Sequence, residues 1–195
     1  MGVALGPFSF ERVMSAVEDV HSRLLRATAA LDNAGVDYAV AGGNAVANWV
    51  SRVDKAAVRF TQDVNILVRR ADFDDVKAAL ESANFLHRHA AGLDVFLDGS
   101  TGKARDAVHI VYAGEKVKPH ELVANPEVSQ FEKTGEYRVL ALHALVQIKL
   151  TAFRDKDRTH LRDLIDVGLI DATWPARFPV ELAARLQLLL DTPGG

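Results

Sequence analysis

The stretch RFTQDVNILVRR, residues 59 to 70, sets a carboxylate and an amide two residues apart. In a strand, alternation puts Asp63, Asn65 and Leu67 on one face and Val64, Ile66 and Val68 on the other. An acid and an amide therefore stand side by side on a strand whose other face is core, and the rest of the sequence has to supply the reason. Upstream, AVAGGNAVANWV runs into Gly42 and Gly43 where a strand turns into a helix. Two glycines there let phosphates approach backbone N–H groups at a helix N-terminus. A tight turn that merely needs glycine is the alternative reading of the same pair.

The elements that must hold these residues follow from periodicity. Val13, Val17, Val20, Leu24 and Leu31 form one stripe of a long amphipathic first helix, which Gly35 can end in a left-handed cap. VDYAVAGG reads as a buried strand and NAVANWVSR as the helix leaving it. ADFDDVKAALESANF carries apolar residues at helical spacing with acids in its first turn. LDVFLDG and AVHIVYAG are strand-like, separated by the turn-rich GSTGKARD. The order helix, strand, helix, strand, helix, strand, strand predicts an α/β (α+β) fold, a mixed sheet covered by helices. The expected division is residues 1–118 as the core with its N-terminal helix, 119–138 as an irregular connection, and 139–195 as a helical segment packed on that core. In that segment LALHALVQIKLTAFRDKD, RTHLRDLIDVGLID and PVELAARLQLLL read as three helices, and DTPGG as a loose tail.

A second cluster gathers Lys149, Arg154, Lys156, Arg158, His160 and Arg162 among Asp155, Asp157, Asp163 and Asp166. Such a mixture is usually a solvated helix end, each opposite-charge pair contributing about 0.2–0.5 kcal/mol. Lys149 differs because it lies inside the apolar run ALVQIKLTAF, where a lysine must reach water or meet an anion. Arg154 and Arg158 share a face if the helix continues, and Asp155 to Asp157 can instead mark a turn. His87 and His89 form an H-x-H pair with no third ligand near in sequence, which reads as exposed strand residues. No G-x-S-x-G elbow, Walker-type loop or H-E-x-x-H pair is present.

Taken in order, GGNAVANWVSR, TQDVNILV, AVHIVYAGEKV and VLALHALVQIKLTAFRDKDRTHLRDLIDVGLID resemble the nucleotidyltransferase superfamily, in its AbiEii-like branch, over most of residues 36 to 171. The resemblance implies nucleotide-binding roles for Gly42, Gly43, Asn44, Thr61, Lys149 and Arg154. It implies catalytic and metal-ligating roles for Asp63, Asn65 and His109, where the family has three acids holding a divalent cation, magnesium or manganese. Here Asn65 stands at the second acid position and His109 at the third. Asp94, Asp98 and Asp106 are other stand-ins for the third acid. The implied reaction is metal-dependent transfer of a nucleoside monophosphate from a nucleoside triphosphate to a hydroxyl of an RNA, a protein or a small molecule. The alternative is an altered descendant that binds a nucleotide, an RNA or a partner, as a toxin–antitoxin component would.

The whole chain limits the rest. Its 195 residues are 49% hydrophobic and 25% charged, ordinary for a globular domain, and the net charge of -3 gives no general pull toward nucleic acid or acidic membranes. The absence of cysteine removes disulfides, thiolate metal sites and cysteine nucleophiles. No apolar run approaches the roughly 18 residues a membrane span needs, and the start does not read as a signal peptide, so a cytoplasmic protein with no membrane partner is expected.

Overall fold

The computed structural model describes residues 9–90 and 92–193; the last two residues of the expected DTPGG tail lie outside them. Helix α1 (Phe10–Asn33) buries Leu24, Ala27 and Leu31 along its apolar stripe. Gly35 ends it at φ +68°, and the Val36 N–H returns to the Leu31 carbonyl at 3.0 Å. Only a residue without Cβ makes that reversal at little steric cost.

Strand β1 (Tyr38–Ala41) runs directly into α2 (Gly42–Ser51). Then come β2 (Val64–Val68), α3 (Phe73–Ser82), β3 (Phe85–Ala90), β4 (Leu93–Asp98) and β5 (Val108–Tyr112). Two short strands, β6 (Phe131–Lys133) and β7 (Arg138–Leu140), precede α4 (Leu142–Ala152), α5 (Asp155–Asp166) and α6 (Val180–Asp191). The strands make one mixed sheet in the order β3-β4-β5-β2-β1-β7-β6. The β2–β5 and β1–β7 neighbours are parallel and the other pairs antiparallel. This is the helix-covered mixed sheet that the pattern of elements predicts.

Alternation along the central strands feeds two cores. Tyr38, Val40, Val64, Ile66 and Val68 join Leu24, Leu31, Val76 and Leu80 under α1 and α3. Ala39, Ala41 and Leu67 join Trp49, Leu145, Leu150, Leu161 and Leu186 on the side of α2, α4, α5 and α6. Each fully buried leucine or valine contributes about 1.5–3 kcal/mol relative to exposure. Because Leu67 shares its face with Asn65, the polar residues sit at the open end of a face that is otherwise core. No helix of the described residues is long and apolar enough to cross a membrane.

Three local features differ from the expectation. Phe85–Ala90, which carries His87 and His89 as strand residues, is a strand absent from the predicted order of elements and pairs antiparallel with β4. The stretch 119–138 is not wholly irregular: it supplies β6 and leads into β7, which pairs with β1 at Val40 and Val139. Three-residue strands are too short to show a period. The helices α4 and α5 part earlier than expected, at Phe153, which takes φ +46°. Arg185 of α6 donates to the Leu150 and Thr151 carbonyls at 2.6 and 2.8 Å, capping the end of α4.

Candidate functional site

The two glycines are required by close approach. Gly42 has φ +67°, and a Cβ there would lie 2.5 Å from Asn65 Nδ2. At Gly43 a Cβ would lie 2.8 Å from Thr61 Cβ. The first turn of α2 is thereby pressed against the residues that open β2. Asn44 Nδ2 donates to the Asp63 backbone carbonyl at 2.8 Å, fixing the chain where the acid leaves it.

Asp63 stands just ahead of β2 with its side chain 25% exposed. The Thr61 hydroxyl donates to its Oδ1, and Asn65 Nδ2 donates to its Oδ2 at 2.8 Å. Lys156 Nζ, from the first turn of α5, lies 3.0 Å from Oδ1 and 3.3 Å from Thr61 Oγ1. Burial by itself would raise the carboxyl's pKa, but these three hydrogen bonds and the Lys156 charge outweigh it and hold the group well below the usual carboxylate range. Asp63 is therefore an anion at any physiological pH.

Asn65 and His109 are register partners on the parallel strands β2 and β5, so the second and third positions do stand side by side. His109 Nε2 lies 3.1 Å from the Ala104 carbonyl, which only accepts, so that nitrogen donates and this bond leaves Nδ1 uncommitted. Phe60, Thr61, Gln62, Asp63, Arg105, His109 and Lys156 line a cleft of about 400 Å³.

The expected alternative acids are engaged elsewhere. Asp94 holds His87 Nε2 at 2.8 Å, His89 Nδ1 at 2.9 Å and the Tyr112 hydroxyl at 2.7 Å. The H-x-H pair thus has a carboxylate between its rings. Asp98 pairs with Arg23 and Arg26, and Asp106 with Arg105. Among the described residues no group of three or more His, Cys, Asp or Glu is arranged to hold a metal ion.

The cleft's donor set does not fit magnesium or manganese. A hard divalent cation takes about six oxygen ligands, and at phosphate sites one or two of them are protein carboxylates with oxygens free to coordinate. The cleft lining has one carboxylate, and both of its oxygens already accept hydrogen bonds from protein donors. The amide of Asn65 turns its NH₂ toward that carboxylate. The metal-ligating roles expected of Asp63, Asn65 and His109 therefore lack a carboxylate oxygen that the protein leaves unpaired.

Lys149 and Arg154 are also placed differently from the expectation. Lys149 is 4% exposed, with Nζ 3.0 Å from Asp157 Oδ1, and Arg154 Nε lies 2.7 Å from Asp157 Oδ2. Burial lowers the Lys149 pKa against the pull of Asp157. Burial would raise Asp157, but the Arg154 bond and the Lys149 charge bring it below its ordinary value. These two cations tie the corner between α4 and α5 rather than facing the cleft. That corner fixes Lys156, the residue before Asp157, over Asp63. In sequence Lys156 is hidden within a mixed-charge run, and nothing marks the break at Phe153 that puts it in a first turn. His160, one turn further along α5, is buried and its pKa falls to about 4, through burial first and then the charges of Lys149 and Lys156.

The sequence model of the family described as "Nucleotidyl transferase AbiEii toxin, Type IV TA system" matches residues 23–192. No curated protein matches the chain by sequence. Among solved structures, an antigenic nucleotidyltransferase-like protein from Paracoccidioides brasiliensis superposes with a TM-score of 0.58 at 16% identity, covering 90% of this chain and 88% of its own. The antibiotic-resistance factor ANT(2'')-Ia aligns with a TM-score of 0.46 at 13% identity, covering 93% of this chain and 85% of its own.

Proposed function

Because the chain belongs to the AbiEii nucleotidyltransferase toxin family, we propose that its cleft binds a nucleoside triphosphate and transfers the nucleotidyl group to a hydroxyl of an RNA, a protein or a small molecule. One observation carries this reading: the anion Asp63 and the cation Lys156 meet in the wall of an open cleft, with the first turn of α2 packed against Thr61 and Asn65 beside them. Lys156 and Arg105 are the cations available to phosphate oxygens, and Phe60, 70% exposed, offers a base a stacking face. The acceptor oxygen would displace pyrophosphate from the α-phosphorus. Both Asp63 oxygens already accept hydrogen bonds, so His109 Nδ1 on the cleft wall is the group assigned to take the acceptor's proton.

A second reading, a module that binds nucleotide, RNA or a partner without transfer, is favoured by the saturated carboxylate of Asp63. Incubation with each labelled nucleoside triphosphate, RNA or protein acceptors, and no metal, magnesium or manganese separates the two. Label transfer with pyrophosphate release supports the first. Binding without turnover under every condition leaves the second.

A further inference from the structure

We propose that the ammonium of Lys156 supplies the positive charge that a divalent cation supplies in a site richer in acids, so that this cleft takes the phosphate chain of a nucleoside triphosphate without a metal. The inference rests on the nucleotide-binding reading above and goes further by naming what neutralises the phosphates.

Three carboxylates at positions 63, 65 and 109 would repel one another and demand an added cation. This chain removes the demand. Asn65 donates to Asp63 at 2.8 Å instead of repelling it, and His109 adds no carboxylate. Against the one remaining carboxylate of its lining the cleft sets two side-chain cations, Lys156 and Arg105, the second also 3.6 Å from Asp106. An ammonium has three N–H donors. Lys156 spends two, on Asp63 Oδ1 at 3.0 Å and Thr61 Oγ1 at 3.3 Å. The third is available to a phosphate oxygen, and the side chain is 54% exposed, so a ligand can reach it. The group then bridges a protein carboxylate and a ligand phosphate, as a metal ion bridges them. A compact ammonium suits this place better than a planar guanidinium. Its position is fixed from below, because the next residue, Asp157, is 1% exposed and bound to Lys149 and Arg154.

The test is calorimetric titration of the full chain with ATP, GTP, CTP and UTP, in excess EDTA and in magnesium. The expected result is at least one triphosphate whose Kd in EDTA lies within about threefold of that in magnesium. Lys156→Ala should weaken binding in EDTA by about tenfold or more, the loss of one charge-assisted hydrogen bond, with Lys156→Arg retaining part of it. Thermal midpoints equal to the parent's establish that the variants fold, as a half-exposed side chain predicts. Binding that appears only with magnesium overturns the inference and leaves the nucleotide reading standing. Unchanged EDTA affinity in a folded Lys156→Ala chain also overturns it. Absence of binding to all four triphosphates in both buffers overturns the inference and the nucleotide reading together.

Discussion

Replacing Lys149 with methionine separates a structural lysine from a phosphate-binding one. The ammonium is 4% exposed and 3.0 Å from a carboxylate that is itself 1% exposed. Removing one partner of a buried pair costs about 3–5 kcal/mol, because the other charge is left behind in a poor solvent. Asp157 keeps Arg154 Nε at 2.7 Å, so the loss should fall near the lower bound, about 3 kcal/mol. For a chain of this length each kcal/mol moves the thermal midpoint by about 2–4 °C, so Lys149→Met should melt about 6–12 °C below the parent. The double variant Lys149→Met with Asp157→Leu should recover most of the difference, since well-packed apolar replacements of a buried pair are often neutral or better. The assays are differential scanning calorimetry and urea unfolding, with nucleotide titration beside them. A variant that keeps its midpoint within about 2 °C yet binds nucleotide tenfold more weakly would refute the assignment and return Lys149 to the cleft.

Gly42→Ala should destabilise by at least about 1–2 kcal/mol, because an L-residue is strained at φ +67° and the methyl would lie 2.5 Å from Asn65 Nδ2; a urea midpoint equal to the parent's would show that the turn relaxes freely. His160 has a folded pKa of about 4 against an ordinary 6.5, so the unfolded chain takes up its proton first as pH falls. The stability present above about pH 6.5 should decline by about 3 kcal/mol by pH 4, and His160→Gln should remove that part of the slope in urea titrations across the range. Asn65→Asp together with His109→Asp should create magnesium binding measurable by calorimetry, since three carboxylates would then face one another; no gain in heat would take His109 out of the site.

The fold was legible where periodicity had length to act. The alternation in β2 and the apolar run of β1 each name their element and their buried face, while the stripe of α1 names its element and buries only its later part, Leu24 and Leu31, with Val13 47% exposed. Strands β6 and β7 were not legible, because three residues cannot display a repeat and their partners lie far away in sequence. The glycine pair, Asp63, Asn65 and His109 come together as their order along the chain suggests. Lys149 and Lys156 are the instructive pair. An apolar neighbourhood singles out Lys149, and the same burial is what commits it to Asp157. Lys156 sits among opposite charges, and only the left-handed Phe153, a residue with no turn signal, places it against Asp63.

The pairing of β7 with β1 makes completion of this protein a late event in its own synthesis. Val40 finds Val139 only after the intervening segment has left the ribosome, which at about 5–20 residues per second takes roughly 5–20 s. Until then β1 offers an open hydrogen-bonding edge to any passing strand. Lys156, encoded further downstream, is the last ingredient of the cleft to emerge, and an interrupted chain ending before α5 carries the acid without its cation.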